Sequence, residues 1–246
     1  MKPKFSSAVP LVFSSAASEH TFTSGAIERS SPNENGSDAD YKKRIKHSVG
    51  LAQKYTHRKP VKHQAEMRLI EKGFKKLRDV GTVLDAPCGV GRATAWLSRN
   101  GYQTTGIDLG EAAVEMARSA ISEANVAARI LIEDIEQMRF PDRSFDATLC
   151  FRLLHHFPRP DIRSGVIREL CRVSRRYVLI SYLSPWSPTS MRRLLRNKLL
   201  GTPIRQHATT LSEISSYFGL SGFSLLCDIP QQAFLHSLHL AVFERK

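Results

Sequence analysis

No apolar stretch in this chain approaches the roughly 18 residues that a membrane-spanning helix needs, so a soluble, cytoplasmic protein is expected. Cysteine is scarce, with 4 in 246 residues. Cys88, Cys150, Cys171 and Cys227 stand apart, with no C-x-x-C pair and no Cys/His cluster at ligand spacing, which argues against a metal site and a disulfide framework. Cys88, Cys150 and Cys227 fall in or beside apolar runs, as small buried hydrophobes do, and this usage suits a reducing compartment. Acidic residues are few beside basic ones, 23 against 36, for a formal charge of +13. That excess implies an anionic neighbourhood, meaning nucleic acid, a phosphorylated substrate or an acidic membrane surface, or else a basic surface kept for solubility. No internal repeat is present. A leader is only faintly suggested, because Pro10 and several serines interrupt the apolar centre after Lys2 and Lys4.

What is present is enough for one folded domain with a tail. Residues 1–40 are rich in Ser, Ala, Asn and Gly and cannot bury enough apolar surface to offset chain entropy, so a disordered tail is expected. Residues 41–79 read as a basic helical cap divided at Pro60, with Met67, Ile70, Phe74 and Leu77 on one helical face. From residue 80 to 246 short apolar runs alternate with amphipathic segments. TVLDA, TTGID, ARILIED, FDATLCF and YVLISYL read as strands, separated by RATAWLSRN, a helix from about Glu111 to Ala124, and one from about Asp161 to Val173. A late helix near Leu211 to Phe218 precedes GFSLLCDI and SLHLAVFER, which are close enough to pair as an antiparallel hairpin. The fold class is therefore α/β, a Rossmann-like doubly wound sheet of seven mostly parallel strands with a C-terminal antiparallel hairpin.

The sharpest motif is VLDAPCGVGRAT, an apolar strand ending in Asp85 that runs through Gly89-Val90-Gly91 into a helix. Glycines there allow a sharp turn and close approach of a ligand. A dinucleotide-binding turn calls for G-x-G-x-x-G, but the third position here is Thr94. An acid at the strand end would also repel a pyrophosphate, so Asp85 favours a ligand with a cationic end. Asp108 closes the second strand, where a carboxylate can accept from both hydroxyls of a ribose, with Leu109 beside it. Past the third strand, Asp134 can accept from an adenine amine while Ile135 covers the ring. The fourth strand ends at Cys150-Phe151-Arg152, beside the mouth of the same site.

With these parts in order, Thr82 to Tyr182 resembles the class I S-adenosylmethionine-dependent methyltransferases, particularly the branch of ubiquinone and menaquinone biosynthesis enzymes. The family's acid-x-Gly-x-Gly-x-Gly stretch is matched by Asp85 to Gly91, with Pro87 in place of the first glycine. The resemblance implies S-adenosyl-L-methionine as cofactor. Asp85, Gly89 and Gly91, with Pro87 and Cys88 between them, would hold its methionine part, Asp108 and Leu109 the ribose, Asp134 and Ile135 the adenine, and Cys150 and Phe151 would line the mouth. AQKYTHRKPVKHQAEMRLIEKGF resembles the leading helices that some members fold over the cofactor, with Tyr55 and Arg58 available to close the site.

Methyl transfer from a sulfonium is an in-line displacement, and most of its catalysis can come from positioning. A base is needed only when the acceptor must lose a proton, and His155 and His156 after the fourth strand are candidates, or simply caps of the following helix. Arg152 is placed to neutralise an acidic acceptor or to pair with a local carboxylate. The stretch after the fourth strand is not of the Asn-Pro-Pro-Tyr type, which disfavours DNA adenine and glutamine targets. In the insert at about 184–208, MRRLLRNKLL sets Leu194, Leu195, Leu199 and Leu200 against Arg192, Arg193, Arg196 and Lys198, as suits an anionic membrane, a lipid-like acceptor or an ordinary packed lid. Trp186 could line an apolar acceptor pocket. The acceptor expected is a small molecule, a lipid or a glycan, methylated at oxygen. The alternative is an RNA or protein target met by the basic surface, although no recognition domain and no interleaving of basic with aromatic residues supports it.

Overall fold

The computed structural model describes residues 60–201, 206–232 and 237–246. The tail expected over 1–40, the first half of the basic cap, Tyr55 and Arg58 lie outside the described residues, as do the side chains of Arg193, Leu194 and Lys198. Helix α1 (Pro60–Phe74) begins at Pro60, whose fixed φ and missing N–H suit a first turn. Next come β1 (Thr82–Asp85), α2 (Arg92–Arg99), β2 (Gln103–Asp108), α3 (Glu111–Glu123), β3 (Ala128–Ile132) and β4 (Phe145–Cys150). A single 3-10 turn (Leu154–His156) leads to α4 (Pro160–Val173), β5 (Ser174–Leu183), α5 (Pro188–Leu200), α6 (Leu211–Leu220), β6 (Phe223–Pro230) and β7 (Leu238–Arg245).

The strands form one seven-stranded sheet in the order β3-β2-β1-β4-β5-β7-β6. Pairing from β3 to β5 is parallel, and β7 runs antiparallel to both β5 and β6. The expected C-terminal hairpin is thus present, and it inserts its second strand between β5 and β6. Because side chains alternate across a strand, β5 serves both faces. Val178, Ile180 and Tyr182 join the core under α4 and α6, whereas Tyr177, Leu179 and Leu183 join the core under α1. A third cluster, around Val114, Ala117 and Ile121, seats α3.

The cap helix docks as its periodicity implies. Ile70 and Phe74 are buried with Leu69, and Met67 packs beside them. Leu77 also packs there, from beyond the end of the helix at Phe74. Gly73 permits the close approach, because a Cβ on it would stand 2.7 Å from Leu240 and 2.9 Å from Leu179. Among the described residues no helix is long and apolar enough to cross a membrane.

Candidate functional site

The carboxyl ends of β1, β2 and β3 are joined by their own polar groups. Asp85 ends β1 with its side chain buried, and Thr94 in the first turn of α2 donates its hydroxyl to Asp85 Oδ2 at 2.6 Å. This explains why the third glycine position holds threonine: the position supplies a donor to the strand-end acid. Burial pushes the Asp85 carboxyl up to about 7, the Thr94 hydroxyl bond holds it down, and the charge of Asp108 pushes it up again. A carboxylate held so high in a buried place is one that a cationic ligand would return to its ionised form.

Asp108, at the end of β2, accepts from Gly89 N at 3.0 Å and from Gly110 N at 2.9 Å. Burial raises its pKa against those backbone bonds. The turn between is further fixed by Cys88 N donating to Ile107 O at 2.7 Å. Gly89 and Gly91 adopt φ of 54° and 79°, in the left-handed region that glycine tolerates best. They serve different ends. A Cβ on Gly91 would come within 3.0 Å of the Ala117 backbone, whereas a Cβ on Gly89 would meet nothing within 4 Å. The first packs a helix and the second leaves open space over the strand ends.

Past β3, Glu133 N donates to Asp108 O at 3.2 Å, bringing that segment to the same edge. Asp134 Oδ1 accepts from Glu136 N at 3.0 Å, and Ile135 packs partly on the main core with one side left accessible. Leu109, Pro87 and Phe151 are half-buried around this edge. Cys88 and Cys150 are buried in core clusters, as their place in apolar runs implies, and burial pushes both thiols up.

Beyond β4 the structure brings together residues that are far apart in sequence. Arg152 adopts φ of 64° and donates its N–H to Ser181 Oγ at 2.6 Å. Its Nη1 donates to Glu66 Oε1 at 2.9 Å. Arg92, at the start of α2, approaches the other oxygen of Glu66 at 3.7 Å and bonds His63 Nδ1 at 3.0 Å. The local-carboxylate partner considered for Arg152 is therefore Glu66 of α1, only 4% exposed and flanked by the guanidinium groups that follow the glycine turn and β4. A charged residue on the second turn of an amphipathic cap helix was the one signal in the sequence for it.

His155 and His156 do not begin a helix. They close the 3-10 turn with ring centroids 4.3 Å apart, ahead of α4. His155 is only 1% exposed, and His156 is the more open of the two. His155 O accepts from His207 N at 2.8 Å, and Thr209 N donates to Leu183 O at 3.0 Å, so the segment entering α6 lies against this turn. Burial, then the charge of Arg163, lowers the pKa of His207, which no motif in the sequence marks. Trp186 is 83% exposed rather than lining an enclosed pocket. Along helix α5, Met191, Leu195, Leu199 and Leu200 are exposed beside Arg192 and Arg196, which departs from an ordinary packed lid, while Ser190 is buried and donates to Ser184 O at 2.7 Å. Among the described residues no group of three or more His, Cys, Asp or Glu could hold a metal ion.

Known proteins are similar to this chain in sequence and in fold. A family model described as a methyltransferase domain matches residues 83–176. The uncharacterized methyltransferase YcgJ of Bacillus subtilis is 30% identical over 179 residues, covering 66% of this chain and 70% of that protein. A ubiquinone biosynthesis O-methyltransferase of Hahella chejuensis is 34% identical over 94 residues, covering 38% of each chain, so this chain spans well under half the length of that relative. Among solved structures, the magnesium protoporphyrin IX methyltransferase of Synechocystis PCC 6803, determined with bound SAH, has a TM-score of 0.61 at 21% identity, covering 86% of this chain and 96% of that one. That likeness is one of fold. Taken with the extent of the match to the Bacillus relative, it places the glycine turn and the seven-stranded sheet in a known setting: the chain belongs to the class I S-adenosylmethionine-dependent methyltransferase family.

Proposed function

We propose that this enzyme methylates an oxygen of a small, lipid-linked or saccharide acceptor, with S-adenosylmethionine held across the carboxyl ends of β1, β2 and β3. The observation that carries the cofactor part is Asp85, a buried carboxyl raised to about 7 at the end of β1, facing a turn where Gly89 leaves open space. The residues suit the group. Asp85 would meet the ammonium, Gly89 would leave room for the methionine part while Gly91 lets the turn pack on Ala117 of α3, Asp108 would accept from the ribose through lone pairs left by its two backbone bonds, and Asp134 with Ile135 would receive the adenine. When bound, S-adenosylmethionine supplies an electrophilic methyl group on a sulfonium. The chain's own part is to position, to exclude water and to take a proton from a hydroxyl. His156 is the more accessible imidazole for that proton, and the ring of the buried His155 lies tilted against it.

The acceptor class rests on α5. Met191, Leu195 and Leu199 recur every four residues along one exposed line, and Arg192 and Arg196 form the line beside it. A contiguous exposed apolar stripe calls for a cover, and guanidinium groups along its edge favour an anionic one. A peripheral seat on an anionic membrane, with a lipid-like acceptor delivered to the mouth, fits both. Incubation with methyl-labelled cofactor and fractionated cell extract tests the reading. Label is expected in lipid, glycan or small-molecule fractions, and label confined to RNA or protein refutes it. Co-sedimentation with phosphatidylglycerol vesicles, lost in a Leu195→Glu/Leu199→Glu variant, tests the membrane seat separately.

A further inference from the structure

The opposite end of the sheet, at the amino ends of the parallel strands, carries a cavity of about 300 Å³. Its walls include Arg143, Arg168, Arg172 and Arg245, with Asp142 and Ser221. Two of these arginines belong to the scaffold. Arg172 bonds Glu169, Asp142 and the carbonyl oxygens of Met138 and Phe140. Arg245 bonds the carbonyl oxygens of Cys171, Ser174 and Arg175, so the electronegative end of α4 is already answered. Arg143 and Arg168 have no carboxylate partner among the described residues. With Asp142 and Glu169 set against Arg172, the walls keep an uncompensated positive charge.

Arg143 also stands where its type is costly. It adopts φ of 54°, a left-handed conformation that glycine would take without the roughly 1–2 kcal/mol penalty of a Cβ. Its N–H is pinned to Arg172 O at 2.8 Å, which fixes the residue at the edge of the cavity. Crowding of like charges is felt across the site: burial, then the charge of Arg143, lowers the pKa of Arg245. Guanidinium groups gathered around a concavity, two of them uncommitted, match the planar, bidentate geometry of phosphate oxygens.

We propose that this cavity is a binding site for a small phosphorylated anion, of phosphate-monoester or pyrophosphate type, separate from the methyl-transfer site. Its concave shape and volume favour a small ligand over the extended stripe that a nucleic-acid backbone requires. Isothermal titration of the full chain with inorganic pyrophosphate tests it, at low salt and again with added salt. Binding is expected, weakening as salt rises and weakened at least about tenfold in an Arg143→Gly/Arg168→Gln variant. Arg143→Gly suits the backbone of that turn, so the variant should melt at or above the wild-type temperature and thereby report an intact fold. Absence of pyrophosphate binding to the wild type, or equal binding by a folded double variant, overturns the proposal. So does a short RNA that binds through these same arginines while pyrophosphate does not.

Discussion

Replacing Asp85 by Asn separates what the fold wants at that position from what the cofactor wants. In an unfolded chain this carboxyl titrates near 3.8, and burial at the end of β1 raises it to about 7. The folded value is the higher one, so the stability tied to this group is complete below the unfolded value and is lost as pH rises to about 7, beyond which it stays lost. At about 1.4 kcal/mol per pH unit, the whole loss is about 4 kcal/mol, of which roughly 2.5 kcal/mol falls between pH 5 and pH 8. Asparagine has no charge to acquire, so Asp85→Asn should escape this slope and melt about 5–10 °C higher relative to wild type at pH 8 than at pH 5. Ligand binding should move the other way. Without the carboxylate, the charge-assisted bond to the ammonium of S-adenosylhomocysteine is gone, which at about 1.5–3 kcal/mol weakens affinity some 10- to 150-fold. Urea unfolding at the two pH values and titration calorimetry with S-adenosylhomocysteine measure both halves. Parallel pH slopes for the two proteins, or equal affinity, would refute the assignment of Asp85 as the buried receptor for the cofactor's cation.

The two glycines of the turn should respond in opposite ways. Gly91→Ala forces a Cβ against the Ala117 backbone and should destabilise the fold by about 2 kcal/mol or more, whereas Gly89→Ala should cost only about 1 kcal/mol in chemical denaturation yet weaken S-adenosylhomocysteine binding. Glu66→Gln leaves Arg92 and Arg152 facing each other across a buried position, so a stability loss of about 3 kcal/mol is expected in the same denaturation series. Once the acceptor is known, His156→Gln should remove the acid limb of the pH–rate profile while His155→Gln chiefly lowers stability; an unchanged profile in His156→Gln would move the base elsewhere, with His207 the next candidate.

The architecture was largely readable because it is written in local periodicity. Val83 and Leu84 before an acid, the alternation along YVLISYL and the amphipathic spacing of α2 through α4 each reflect which face meets the core, and strand-end acids follow from where the strands stop. The edge where these residues meet was readable for the same reason, since Asp85 and Asp108 close their strands and Gly89 and Asp134 follow within a short turn of one. Other features depend on segments remote in sequence meeting in space. Glu66 finds Arg152 only because Gly73 lets α1 lie close on the sheet, and Thr94 reaches Asp85 only because the turn brings α2 back over β1. The composition of MRRLLRNKLL established an amphipathic helix, but only packing decided that Leu195, Leu199 and Leu200 face outward and that Trp186 stands in the open. Periodicity specifies that a face is apolar; which surface covers it is a property of the whole folded chain, and the basic cavity, assembled from a loop, two helices and the last strand, belongs to that second kind.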